Sequence, residues 1–182
     1  MESKAKLFGH PIHQMLIVFP LGLLATSVIF DLIYLATGGS TWFTVSYWLI
    51  IAGVIGGWGA APFGLIDWLA IRVDTHAKRI GAIHGAGNVV VLALFFTGWL
   101  MRESPPIMPS MTSLLFSFLG LSGALITSWL GGELVARMGV GVDKGAHLDS
   151  PSSLSGEPAH LKFRSKTPTV KVPETLNLKQ LE

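Results

Sequence analysis

The fold is decided by the stretch QMLIVFPLGLLATSVIFDLIYLAT, residues 14–37, a long apolar run whose single charged residue is Asp31. A helix needs about 20 apolar residues to cross the hydrocarbon core of a bilayer, so this run is long enough to span it. Three similar runs follow, at residues 45–70, 80–101 and 112–135. Their apolar residues are continuous and do not alternate, which favours helices over the strands of a membrane barrel. The sequence therefore predicts an all-α membrane protein built as a four-transmembrane-helix bundle.

The composition supports this assignment and excludes several classes of protein. Half of the 182 residues are hydrophobic and only 13% are charged, whereas charged residues make up about 25% of a typical soluble domain. The net charge of +2 is small and scattered, so nucleic-acid binding is not indicated. The chain contains no cysteine, which excludes disulfides, thiolate metal sites, iron–sulfur clusters and thiol catalysis.

The distribution of lysine and arginine predicts how the spans are oriented. Three segments that would share one side of the membrane carry most of these residues near the spans: Lys4 and Lys6; Arg72, Lys78 and Arg79; Arg137 and Lys144. The opposite side carries only Arg102. Because basic loops stay in the cytoplasm, both termini are expected to be cytoplasmic. The short connections predict antiparallel neighbours, and hence an up-down-up-down bundle.

Three regions are expected along the chain. Residues 1–13 form a cytoplasmic N-terminal segment, residues 14–137 the transmembrane domain, and residues 138–182 a soluble, mostly disordered tail that is poor in large apolar residues. Within the spans, small residues recur four positions apart, as in Gly56, Ala60 and Gly64. This spacing predicts close helix packing. No internal repeat in the sequence is strong enough to interpret.

Polar residues inside the spans are the candidate functional residues, because ionisable groups are costly in a membrane. Under the predicted topology, every helix places polar groups near its cytoplasmic end: His10, His13, Asp67, His84, Asn88 and Glu133. Two interpretations remain open. The residues could form a structural network in which the acids pair with Arg72, Arg137 or the imidazoles. Alternatively, they could line an inner-leaflet site for a cofactor, with His13 and His84 as ligands of haem b or of another metal.

Several short strings resemble a known family. They are GHPIH at 9–13, GLIDW at 64–68, HGAGN at 84–88, and GGELV at 131–135, which runs on to GVGV at 139–142. In this order they resemble the bacterial integral membrane family called domain of unknown function 2231, over about residues 7–142. The resemblance implies four helices in a bacterial inner membrane and gives no activity. Two positions depart from the family pattern: Gln14 stands where Pro is frequent, and Met138 where His is frequent.

Three functions are compatible with the sequence. The leading hypothesis is a small non-enzymatic bundle that serves as an accessory or structural subunit of a larger inner-membrane assembly, with lipid and other membrane subunits as its partners. The first alternative is a haem b or metal-binding electron-transfer protein that uses the inner-leaflet histidines. The second is a small transporter or proton pathway through Asp31, Asp67 and Glu133.

Overall fold

A computed structural model describes residues 1–102 and 109–162. It contains four helical segments that are each long and apolar enough to cross a membrane. The elements in chain order are β1 (Lys6–Leu7), β2 (His10–Pro11), α1 (Ile12–Leu16), α2 (Val18–Thr37), α3 (Ser40–Ala70), α4 (His76–Leu100), α5 (Met111–Gly132), a π-helical turn (Glu133–Arg137) and a 3-10 turn (Ser153–Ser155). Helices α1 and α2 together form the first span. The predicted all-α bundle of four transmembrane helices is confirmed.

The helices begin and end where local chemistry allows. Gly38 closes α2 in the left-handed conformation, with φ of 70°, which glycine adopts without a steric penalty. Thr75 and Ser110 cap α4 and α5 by accepting hydrogen bonds from the Lys78 and Ser113 amides. Capping lets α4 extend through polar residues and start before the apolar run at 80–101. Helix α3 also starts before its apolar run, at 45–70, but has no side-chain cap.

The core lies between the spans, and every span contributes to it. Its buried residues form one cluster: Leu24, Val28, Ile50, Val54, Val91, Leu92, Phe95 and Ala124. Small residues on α3 and α5 provide room for this packing. A Cβ placed on Gly57, for example, would lie 2.5 Å from Leu92 Cδ2. By contrast, a Cβ placed on Gly85 or Gly132 would have no atom within 4 Å, so these two glycines do not serve packing inside the bundle.

The structure shows an internal repeat that the sequence analysis did not recognise. Leu24 of α2 packs on Gly53 of α3, and Phe95 of α4 packs on Gly120 of α5 in the same way. The first and third spans correspond at an offset of 71 positions, and the second and fourth at 67. The bundle is thus two similar helical hairpins, and since both enter the membrane in the same direction, the axis that relates them runs along the membrane normal.

An end cap, formed by residues 1–11 and 138–160, covers the end of the bundle at which α3 stops and α4 starts. The Met1 amine donates to the Gly139 carbonyl at 2.6 Å, and the Gly141 amide donates to the Met1 carbonyl at 2.8 Å. Lys6 forms ion pairs with Glu2 and Asp143. In the described part of the tail, the 3-10 turn is the only helical or strand element. The predicted disorder of residues 163–182 lies outside the described residues.

Candidate functional site

His13 lies at the contact between the first two spans. Its Nδ1 is 3.0 Å from the Ala60 carbonyl oxygen of α3. The ring packs against Gly64, one turn further along, where a Cβ would lie only 2.7 Å from His13 Cε1. The glycine is therefore required for the imidazole to approach α3 this closely. The hydrogen bond requires a proton on Nδ1, which leaves the lone pair of a neutral ring on Nε2.

His84 occupies the corresponding position between the last two spans. Its Nδ1 is 2.8 Å from the Thr127 carbonyl of α5, and its ring lies against Gly131. The Asn88 amide nitrogen lies 3.2 Å from His84 Nε2, and the Thr127 hydroxyl donates to Asn88 Oδ1 at 3.0 Å. Both nitrogens of His84 are thus engaged within the protein.

The two imidazoles occupy corresponding positions in the two hairpins. They differ in what surrounds Nε2. The first hairpin has Ile17 and Ala60 where the second has Asn88 and Thr127. His13 Nε2 forms no hydrogen bond with the residues that the structure describes. His13 is consequently the imidazole that retains a nitrogen available to a ligand.

Asp67 does not join the histidines but holds the N-terminal segment. Its carboxylate accepts hydrogen bonds from the Ser3 hydroxyl at 2.8 Å to each oxygen, from the Lys4 amide at 2.7 Å and from the Ala5 amide at 3.4 Å. Such a set of donors satisfies an ionised carboxylate without a basic side chain. The ion pairs of Asp67 with Arg72 or Arg137 that a structural network could have used are absent from residues 1–102 and 109–162.

The remaining two candidates lie apart. His10 belongs to the end cap, is exposed, and has its Nε2 3.3 Å from the Ser153 hydroxyl. Glu133 opens the π-helical turn, and it makes no ion pair with Arg137 in the described part of the chain. The six candidates therefore occupy one end of the bundle but separate into distinct hydrogen-bonded groups. The described residues include no group of three histidine, aspartate or glutamate side chains placed to hold a metal ion.

The most deeply buried polar site lies at the opposite end of the bundle, and the sequence analysis did not identify it as a site. Arg102 donates through both terminal nitrogens to Asp31, at 2.8 and 2.6 Å, and both side chains are 0% exposed. The same guanidinium donates to the Ser46 and Ser117 hydroxyls at 2.9 Å each. All four spans meet at this ion pair.

The positions of these two charges could have been linked from the sequence. Asp31 is the only acid inside an apolar run toward its side of the membrane, and Arg102 is the only basic residue on that side. They are also separated by 71 residues, the offset between corresponding positions of the two hairpins. Counting Arg102 only as a loop charge concealed the pairing, because its side chain turns back into the bundle.

Comparison with known proteins identifies a family. The family model described as "Predicted membrane protein (DUF2231)" matches residues 9–144. No curated protein and no solved structure matches the chain. The matched region contains all four spans, both histidines of the hairpin contacts, and the Asp31–Arg102 pair. The chain belongs to this family of predicted membrane proteins, DUF2231.

Proposed function

We propose that this protein is a non-enzymatic bundle that serves as an accessory or structural subunit of a larger assembly in the bacterial inner membrane, with both termini in the cytoplasm. The proposal rests on what the buried and half-buried polar side chains bond to. Asp31, His84 and Asp67 each bond a segment other than their own helix. These bonds fix the positions of the helices, which is a structural role.

One outward face offers a contact surface for a partner. A stripe along the outer face of α4 carries exposed small or short side chains: Ala82, Gly85, Ala86, Val89 and Ala93. The larger exposed side chains of Ile83, Val90 and Phe96 lie beside this stripe. In a bilayer, small residues allow another helix to approach closely, and dispersion forces then drive association. The partner proposed for this face is a transmembrane helix of another subunit.

Gentle detergent extraction tests the proposal. The native protein should co-purify with a membrane partner at a fixed stoichiometry, and Gly85→Leu should release that partner because the larger side chain prevents close approach. Gly22→Leu is the matched control, since Gly22 is also exposed on a span with no atom within 4 Å of an added Cβ. Recovery of a monodisperse monomer, or retention of the partner by Gly85→Leu, would contradict the proposal.

The proposed orientation has its own test. Because the chain has no cysteine, single cysteines can be placed at will. Thr41→Cys, in the first turn of α3 next to the first connection, should react with a membrane-impermeant maleimide in intact spheroplasts, whereas Lys162→Cys should react only after lysis. The opposite labelling pattern would place both termini outside the cytoplasm.

A second candidate function is electron transfer with a haem b or metal, and His13 favours it. A histidine that ligates a metal usually donates its other ring N–H to a carbonyl or carboxylate, as His13 does with Ala60. The residues fit a single imidazole ligand better than a pair, because His84 Nε2 is engaged by Asn88. Protein from haem-replete cells should show a Soret band that His13→Ala removes, and the lack of any such band would eliminate the haem version.

A further inference from the structure

A small cavity lies where the end cap meets the end of the second span. Its volume is about 310 Å³, and Met1, Glu2, Lys4, Ala70 and Lys144 line it. Ala70 is the last residue of α3. Because Ala70 ends a helix that is long and apolar enough to cross a membrane, we place the cavity near the headgroup region.

The only carboxylate in the lining is already occupied. Glu2 accepts hydrogen bonds from the Lys144 amide and from Lys6 Nζ, each at 3.3 Å. The bond from the Lys144 amide, followed by the bond from Lys6, lowers the pKa of Glu2 below its ordinary value. Glu2 is thus an ionised group whose oxygens face the cap itself, and it serves to hold the cap segments together.

The two lysines of the lining are fixed through their backbones and leave their ammonium groups available. The Lys4 amide donates to Asp67 at 2.7 Å, and the Lys144 amide donates to Glu2. Both side chains are exposed, and neither forms an ion pair within the described part of the chain. Two cations brought together from opposite ends of the domain therefore flank one concavity.

We propose that this cavity binds the phosphate of an anionic phospholipid headgroup. Basic pockets between membrane helices near the bilayer surface suit such headgroups, because the ammonium groups neutralise the phosphate. A lipid fits this cavity better than a free phosphate, since Leu69, beside Ala70, is 63% exposed and offers an apolar surface for the acyl chain. The proposal depends neither on the subunit role nor on which side of the membrane holds the termini.

Native mass spectrometry of the full chain in detergent tests the site. After delipidation, the protein should retain phosphatidylglycerol in preference to phosphatidylcholine with the same acyl chains. Lys4→Gln with Lys144→Gln should weaken phosphatidylglycerol binding about tenfold or more, since each lysine near a membrane surface contributes a several-fold attraction. Lys162→Gln is the control, because Lys162 is exposed and lies outside the lining.

Two further arms keep the test decisive. Lys4→Arg with Lys144→Arg should retain the lipid preference if charge is what matters, and raising the salt concentration should weaken lipid binding to the native protein. Equal retention of the two lipids, or an unchanged preference in the glutamine variant that folds as judged by circular dichroism, would overturn the proposal. Inorganic phosphate that displaces phosphatidylglycerol at low millimolar concentration would also overturn it in favour of a soluble phosphate ligand.

Discussion

The two hairpins of this bundle carry the same residues at some corresponding positions and different residues at others. Where they agree, the residues serve contacts within each hairpin, as in the packing of His13 on Gly64 and of His84 on Gly131. Each hairpin requires such a contact independently. The repeated residues therefore reveal what any one hairpin needs in order to form.

Where the hairpins differ, the residues serve contacts that exist only once. Asp31 and Arg102 occupy corresponding positions and face each other between the hairpins. Two identical charges could not pair there, so the difference is a requirement of the contact. We infer that the ion pair holds the two hairpins together, whereas the repeated glycines, such as Gly64 and Gly131, hold each hairpin together.

The largest loss of stability is expected when one charge of the Asp31–Arg102 pair is removed. Asp31→Asn leaves the Arg102 guanidinium buried without a counter-charge, and losing one partner of a buried pair costs about 3–5 kcal/mol. Arg102→Gln should be similarly severe. Thermal unfolding in a mild detergent, followed by circular dichroism, would measure both losses.

Because the two charges occupy corresponding positions of the repeat, exchanging them gives a sharper test. Exchanging them, as Asp31→Arg with Arg102→Asp, should recover a large part of the lost stability, because the charges remain paired across the same contact. Recovery should be incomplete. Arg102 donates to Ser117, but an arginine at position 31 would meet Ile50 at the corresponding position of the first hairpin and would lose one hydrogen-bond acceptor. An exchange variant no more stable than either single variant would contradict the assigned role.

The number of spans and their helical character could be predicted from the sequence, because four apolar runs of membrane length admit few other structures. The partners of the polar residues could not. One of the two open interpretations pairs Asp67 with Arg72, Arg137 or an imidazole. In the structure it instead bonds backbone amides and a serine of the N-terminal segment, as in the Lys4 contact across a separation of 63. The sequence shows where along a helix a polar residue lies, and this position predicts its depth in the membrane. Its hydrogen-bond partners depend in addition on the rotation of the helix and on the path of the end cap, which the sequence does not show.

The repeat shows a second limit of sequence analysis. Some corresponding residues of the first and third spans are identical, such as Leu21 and Leu92, whereas others, such as Leu24 and Phe95, are only both apolar. Because lipid-facing and core positions accept many apolar residues, matches between apolar residues do not by themselves reveal the repeat in the sequence. The few constrained positions, among them Gly53 and Gly120, show the correspondence only when their contacts are known.

An intermediate loss of stability is expected when a glycine that both hairpins share at corresponding positions is replaced. Gly53→Ala places a Cβ 2.7 Å from Leu24, and Gly120→Ala places one 2.7 Å from Phe95. Overpacking of this kind costs about 1–3 kcal/mol, and the two variants should lose similar amounts of stability in the same unfolding measurement. Gly59→Ala is the control, because Gly59 has no atom within 4 Å of an added Cβ and should tolerate the change. A loss in only one of the two hairpins would show that their contacts are not equivalent.

A smaller effect is expected from making the second hairpin resemble the first around its histidine. Asn88→Ile or Thr127→Ala removes a hydrogen-bond partner within the group that surrounds His84, at about 1 kcal/mol each. The double variant should lose less stability than the sum of the two single variants. Each single variant leaves the remaining residue without its partner, whereas the double variant leaves no such residue. A double-mutant cycle measures this coupling, and strict additivity would show that the Asn88–Thr127 bond contributes nothing.

The smallest effect concerns the end cap, which has no counterpart in the repeat and joins the start of the first hairpin to the segment after the second. The bonds from the Lys144 amide and from Lys6 hold the pKa of Glu2 below its ordinary value of 4.5. A lowered pKa means that the contact is fully present above about pH 4.5 and is lost as the pH falls through the lower value of the folded protein. The amide resonance of Lys144 should therefore titrate below pH 4.5 in the native protein and not in Glu2→Gln. A midpoint at or above 4.5 would show that the Glu2 contact does not persist in solution, in which case the lysines beside the cavity would lose one of the bonds that position them.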